Sequence, residues 1–165
     1  MYKILAIGNS FSQDATAYLH DIAAAGGTDT KIVNLYIGGC SLKTHWENAE
    51  NDHKNYLYEL NGSSDGRMVS IREALTEESW DFITFQQASH DSGIPETYQP
   101  YLFKLSGYVK QYVPTAQQLM HETWAYEIDS THPAFSEHYH SDQRDMYKAL
   151  RNAYLEAAKQ LGIPI

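Results

Sequence analysis

Residues 4–12 read Ile4-Leu5-Ala6-Ile7-Gly8-Asn9-Ser10-Phe11-Ser12, and this stretch decides the fold. Its apolar run, Lys3 to Ile7 with the preceding lysine, is short and ends at a glycine, the pattern of a buried strand. From Asp14, apolar residues recur at Ala15, Tyr18, Leu19, Ile22 and Ala23. That spacing predicts one face of a helix, which Gly26 and Gly27 stop. A strand feeding a helix through Gly-Asn-Ser is the opening unit of an α/β domain.

The rest of the chain repeats the alternation. Lys31 to Ile37 reads as a second strand, stopped by Gly38-Gly39. Trp46 to Leu60 predicts a helix with Trp46, Ala49, His53, Leu57 and Leu60 on one side, and Asn61 to Gly66 is rich in turn residues. Val69 to Thr76 reads as a helix, Phe82 to Gln86 as a third strand and Pro100 to Tyr112 as a helix closed by Pro114. Gln118 to Trp124 predicts a fourth strand, Asp129 to Ser141 an irregular, His-rich segment, and Asp142 to Leu161 a final helix ended by Gly162. Ile163-Pro164-Ile165 looks like the opening of a fifth strand. The fold class expected is therefore α/β, a three-layer sandwich with a mostly parallel central sheet and helices on both faces. Residues 1–165 read as a single domain, and the strand start at the end predicts that the fold is C-terminally incomplete.

Composition narrows the function classes. The formal net charge of −9 and the lack of any basic stretch argue against a nucleic-acid partner, which needs clustered Lys and Arg. The same balance disfavours anionic membranes. The N-terminal apolar run, Ile4 to Ile7, is too short for a signal-peptide core or a membrane span, so the expected location is cytoplasmic, or secreted or periplasmic if a leader has been removed. The single cysteine, Cys40, excludes a disulfide framework and a Cys-based zinc site. Thirteen tyrosines and three tryptophans suit a sugar-binding cleft, and equally suit ordinary packing.

In such a sheet, ligands bind beyond the carboxyl ends of the strands. Those ends carry Gly8-Asn9-Ser10, Gly38-Gly39-Cys40-Ser41 and Gln86-Gln87-Ala88-Ser89-His90-Asp91. Ser10, after a tight turn and before a helix, has the placement of a nucleophile near the positive helix end. Ser10 and Gln13 also match Ser-x-x-Gln, so a helix-capping box explains the same serine. The segment lacks the final glycine of Gly-x-Ser-x-Gly, since Ser12 stands there. Gly38 and Gly39 offer backbone N–H groups that no side chain blocks, or simply a turn. Gln87, Ser89 and His90 are candidate donors to the same oxyanion, or the hydrogen bonds that order their loop.

These blocks resemble the SGNH (GDSL-like) hydrolases. The segment from Ile4 to Ser12 is similar to their first block, with Asn9 in place of the usual Asp. The Ile37-Gly38-Gly39-Cys40-Ser41 segment resembles the second block, with Gly39 as the better match for the oxyanion glycine. Phe82 to Gly93 stands where the third block, Gly-x-Asn-Asp, belongs. Read as Ala88-Ser89-His90-Asp91, it replaces both the glycine and the asparagine, leaving Gln87, Ser89 or His90 to supply the donor. The whole chain, including Trp124-Ala125-Tyr126, is similar to an uncharacterised bacterial branch of that superfamily. The resemblance implies the flavodoxin-like strand order and a serine esterase. Its fourth element, Asp-x-x-His, supplies the base and the carboxylate that orients it. Asp129-Ser130-Thr131-His132 has that spelling, but it precedes the final helix. The resemblance places the true pair past Ile165 and leaves Asp129 and His132 as the local candidates.

Metal readings are weak. His121-Glu122 starts a His-Glu-x-x-His motif that Ala125 breaks, and His138, His140 and Asp142 lack a nameable further ligand. No phosphate-binding glycine motif is present, and no cofactor or metal is expected. The leading expectation is an esterase of a carbohydrate or another small, for instance acetyl, ester, with Ser10 attacking and the N–H groups of Gly39 and Ser10, assisted by Gln87 or Ser89, holding the oxyanion. The rivals are a non-catalytic sugar- or peptide-binding domain on the same fold and a truncated enzyme without its base.

Overall fold

The computed structural model describes all 165 residues. Strand β1 (Tyr2–Gly8) leads into helices α1 (Ser10–Thr16) and α2 (Leu19–Ala25), followed by β2 (Thr30–Tyr36) and α3 (Leu42–Glu50). Next come β3 (Tyr56–Leu60), β4 (Met68–Val69) and α4 (Ile71–Glu77), then β5 (Phe82–Phe85), α5 (Tyr101–Tyr112) and β6 (Gln117–Met120). The chain closes with α6 (Pro133–Tyr139) and α7 (Gln143–Leu161).

The sheet order is β4-β3-β2-β1-β5-β6. Strands β2, β1, β5 and β6 are parallel, so the order implied by the resemblance holds across them. Helices cover both sides of the sheet. Register aligns Gly8 with Tyr36, Ile7 with Phe85 and Phe85 with Met120. The carboxyl ends of all four parallel strands therefore lie along one edge, where ligands bind in such sheets. Under that edge Leu5, Ile7, Val33, Leu35, Ile83 and Phe85 are buried against Leu102, Leu105 and Val109 of α5. Each such side chain contributes about 1.5–3 kcal/mol by leaving water. Tyr154 of α7 meets Tyr98 edge to face, with centroids 5.6 Å apart.

Three expectations need correction. The helix expected over Trp46 to Leu60 stops at Glu50, and residues 56–60 form a strand antiparallel to β2, pairing Val33 with Leu60 and Tyr36 with Leu57. Apolar residues in Tyr-Leu-Tyr-Glu-Leu satisfy either period over so short a span, and the open edge of β2 decides for the strand. The face assigned to the first helix is also wrong. The chain breaks between α1 and α2, and Tyr18 and Ile22 are exposed, 71% and 68%. Finally, Asp129 to Ser141 is not all irregular, because Pro133 opens α6.

Elsewhere the signals hold with shifted ends. Ser70 and Glu73 form a reciprocal capping box on α4. In α5 Leu102, Leu105 and Val109 face inward. In α7 Met146, Leu150, Tyr154 and Ala157 are buried, and Gly162 ends the helix at φ +67°. The expected fifth strand is not formed: the Met120 N–H donates to Pro164 O at 2.8 Å, which lays the final residues beside β6, but this single bond builds no strand over 163–165.

Candidate active site

The turn from β1 to α1 is tight for a steric reason. A Cβ on Gly8 would come within 2.6 Å of the Ser12 Cβ, so only glycine lets α1 start so close to the strand. Ser10 is the first residue of α1 and is exposed. The capping-box alternative for it is overturned. The cap is Asn9, whose Oδ1 accepts from the Phe11 N–H at 3.1 Å, and Gln13 turns away to donate to Glu59. Glu59 is buried and also accepts from Asn34 Nδ2 at 2.7 Å, which ties α1 to β2 and β3.

Asn9 does more than cap. Its buried Nδ2 donates to Cys40 O at 3.2 Å and to Gln87 O at 3.4 Å. One side chain thus joins the loops after β1, β2 and β5. Because Ser10 follows Asn9 and Gly39 precedes Cys40, these bonds draw the serine and the glycine turn to the same place. Gly39 adopts φ +64°, a conformation that favours glycine, and a Cβ there would touch nothing. The turn is closed by the Cys40 N–H to Ile37 O at 3.3 Å, and neither the Gly39 nor the Ser10 N–H has a backbone acceptor.

The third loop is pinned from within. Gln87 is fully buried; its Oε1 accepts from the Leu42 and Ala88 N–H groups, both at 2.9 Å. Its Nε2 donates to Thr97 O and Thr97 Oγ1, at 3.2 and 3.0 Å. Both amide hydrogens are spent, so Gln87 is a clamp between loop and α3, not a free oxyanion donor. Ser89 Oγ lies 2.8 Å from the Tyr126 hydroxyl, and His90 stacks on His132 with centroids 6.3 Å apart.

Asp129 and His132 are not brought together as a pair. His132 caps α6, its Nδ1 accepting from the Ala134 N–H at 3.2 Å. In a triad that nitrogen would carry a proton and donate it to the carboxylate. Here helix capping uses its lone pair, and Asp129 is exposed. Asp142, weighed as a metal ligand, caps α7 by accepting from the Arg144 and Asp145 N–H groups. No three His, Cys, Asp or Glu side chains converge as a metal site.

Three participants escaped sequence reading. Gln86 Oε1 accepts from the Ser12 N–H at 3.1 Å, and its Nε2 lies 3.3 Å from His121 Nδ1. The imidazole therefore accepts on Nδ1, and burial lowers its pKa. Behind the glycine turn, His45 Nδ1 sits 2.9 Å from the Tyr56 hydroxyl and 3.5 Å from Cys40 Sγ. Burial pushes the Cys40 thiol up to about 12 and holds His45 down to about 3. Asn9, by contrast, left a signal, because asparagine directly before a helix is a preferred cap.

A cleft of about 490 Å³ is lined by Phe11, the residue after Ser10, and by Trp124 and Tyr126, with Glu127, Asp129 and Thr131 among its walls. Phe11 packs on Trp124 with centroids 4.3 Å apart.

With this geometry in view, the family is decided: residues 3–165 match a domain of unknown function, DUF4886. The chain belongs to the DUF4886 family. A solved DUF4886 structure from Bacteroides uniformis is 39% identical with a TM-score of 0.90, over 98% of this chain and 64% of that one. The chain thus spans less than two thirds of that relative's length. A protein from Slackia heliotrinireducens, provisionally described as an SGNH hydrolase, matches at 23% identity and TM-score 0.63, over 98% and 76% of the two chains. A family 3 carbohydrate esterase from Clostridium thermocellum matches at 10% identity and TM-score 0.57, over 98% and 72%. The fold of this DUF4886 protein is that of the SGNH hydrolases and esterases. No curated protein matches the chain. None of its helices is long and apolar enough to cross a membrane.

Proposed function

We propose that this DUF4886 protein is a serine esterase of the SGNH type, acting on a carbohydrate ester or another small acyl ester. The observation that carries the reading is Asn9. By capping α1 it leaves the Ser10 hydroxyl free, and by holding Cys40 O and Gln87 O it sets Ser10 beside the Gly39 turn. Ser10 Oγ attacks the ester carbonyl carbon while its proton passes to a histidine. The N–H groups of Gly39 and Ser10 hold the oxyanion of the tetrahedral intermediate. The C–O bond to the alcohol then breaks, the alcohol takes the proton, and water hydrolyses the acyl-serine by the same route reversed. Ser89, held by Tyr126, is proposed to assist the oxyanion; Gln87 acts by holding the loop.

The base is the open position in this reading. His132 spends Nδ1 on α6, so it serves only if that cap is released. A base from a segment that the longer Bacteroides uniformis relative has beyond its match to this chain would leave that cap in place. Without any base, the triad rule leaves only about 10³–10⁴-fold acceleration over water. That gap favours a second reading, a non-catalytic domain that binds sugar or peptide at the same strand ends.

Fluorophosphonate labelling, mapped to the modified peptide, tests the proposal, with Ser10→Ala as control. A single adduct on Ser10 is the expected result for a chain with a working base, and His132→Ala then reports whether that base is local. A folded protein that stays unlabelled, both alone and in its longest natural form, would overturn the esterase reading in favour of the binding domain.

A further inference from the structure

The cleft lined by Phe11 has a chemistry that its volume alone does not convey. Three aromatic side chains line it: Phe11, Trp124 and Tyr126. Tyr126 is held firmly, its hydroxyl on Ser89 Oγ at 2.8 Å, its ring edge-on to Phe135 with centroids 5.9 Å apart, and its carbonyl accepting from Gln143 Nε2 at 2.7 Å. Trp124 rests on Phe11 yet remains 48% exposed. The acidic side chains in the lining are Glu127 and Asp129, and no lysine or arginine joins them. Neither carboxylate is paired with a basic side chain.

The other tryptophans show what this protein does with an indole face. Lys104 Nζ lies 5.1 Å from the Trp46 centroid and Lys31 Nζ 5.9 Å from that of Trp80. Arg67 covers Tyr58 at 3.8 Å. Trp124 is the one tryptophan with no cation over its ring, and it stands in a cleft with two unpaired carboxylates. An aromatic face with carboxylates close by attracts a positive charge through the ring quadrupole and through Coulomb attraction. An anionic group would meet repulsion there, and a neutral sugar would leave both carboxylates without a charge partner.

We infer that the Phe11–Trp124–Tyr126 cleft is a subsite for a small organic cation, a quaternary ammonium or protonated amine. Resting on the esterase reading, the cation belongs to the alcohol portion of the ester, since Phe11, the residue after Ser10, lines the cleft. His132 packs beside Tyr126, with ring centroids 4.9 Å apart, so the titration is run at one fixed pH.

The experiment is a titration of the protein with tetramethylammonium chloride, read by tryptophan fluorescence at constant ionic strength. Methyl glucoside and sodium acetate are the comparison ligands. Saturable quenching by tetramethylammonium is expected, absent in Trp124→Phe and weakened roughly tenfold in Glu127→Gln/Asp129→Asn. Both carboxylates are exposed, so the double variant keeps its fold, which circular dichroism checks. No saturable response, or a glucoside that binds as well and ignores the double variant, would overturn the inference. The two readings fail separately: cation binding with Ser10 unlabelled, both in this chain alone and in its longest natural form, would remove the esterase reading and leave the subsite.

Discussion

Lowering the pH from about 7.5 to about 5 destabilises this protein by about 2 kcal/mol through one side chain, His45. The imidazole is fully buried, and its Nε2 has no hydrogen-bond partner. Burial disfavours the charged ring and holds its pKa at about 3, against an ordinary 6.5. The sign follows from proton counting. Below about 6.5 the unfolded chain binds a proton at His45 and the folded protein does not, so stability falls as the pH falls, until the folded ring itself titrates. At about pH 5 that difference is worth about 2 kcal/mol, and at about pH 4 about 3 kcal/mol. Urea unfolding followed by circular dichroism between about pH 8 and pH 5 measures it. His121 is only half-buried, but burial lowers its pKa in the same direction and adds slope in the same window. The salt-bridged carboxylates of Glu77 and Glu78 have lowered pKa values, so their contribution is lost only below about 4.5. The His45 share is therefore isolated by His45→Asn, which should be less stable at neutral pH yet lose most of the slope. An unchanged slope in His45→Asn, or an imidazole resonance of His45 that titrates near pH 6, would refute the reasoning.

Two substitutions test the loop geometry. Asn9→Ala removes the α1 cap and both inter-loop bonds, with an expected cost of about 2 kcal/mol in denaturant melts. Ser10→Ala, which caps nothing, should stay within about 0.5 kcal/mol of wild type; a larger loss in Ser10→Ala than in Asn9→Ala would restore the capping reading of the serine. Gly39→Ala meets no steric obstacle but must hold φ +64°, so about 1 kcal/mol of strain is expected. Melts give the stability change and fluorophosphonate kinetics the effect on Ser10; a variant of wild-type stability would mean that the turn does not need glycine.

Much of the fold is local in origin. Ile4 to Ser12 names its own strand, turn and helix start because burial, a glycine and a polar boundary coincide within nine residues. The helices α4, α5 and α7 were legible for the same reason, each carrying an apolar stripe and a cap or stop. Tertiary structure decided the rest. Residues 56–60 became a strand because β2 offered an unpaired edge, which no periodicity within five residues can reveal. Tyr18 and Ile22 kept a helical spacing but lost their burial when the chain broke before α2. At the site, the sequence presented Ser10, Gly39 and the Gln87 loop as three separate strand ends, and a serine with two explanations. Only the folded chain shows Asn9 capping the helix and bonding Cys40 and Gln87 at once, since those partners lie 31 and 78 residues away. The spelling Asp129-x-x-His132 survives as a string and not as a pair, because the lone pair on His132 Nδ1 went to the nearest unsatisfied N–H, at the start of α6. Short-range signals choose elements; competition among distant polar groups for a limited set of partners chooses what those elements can do.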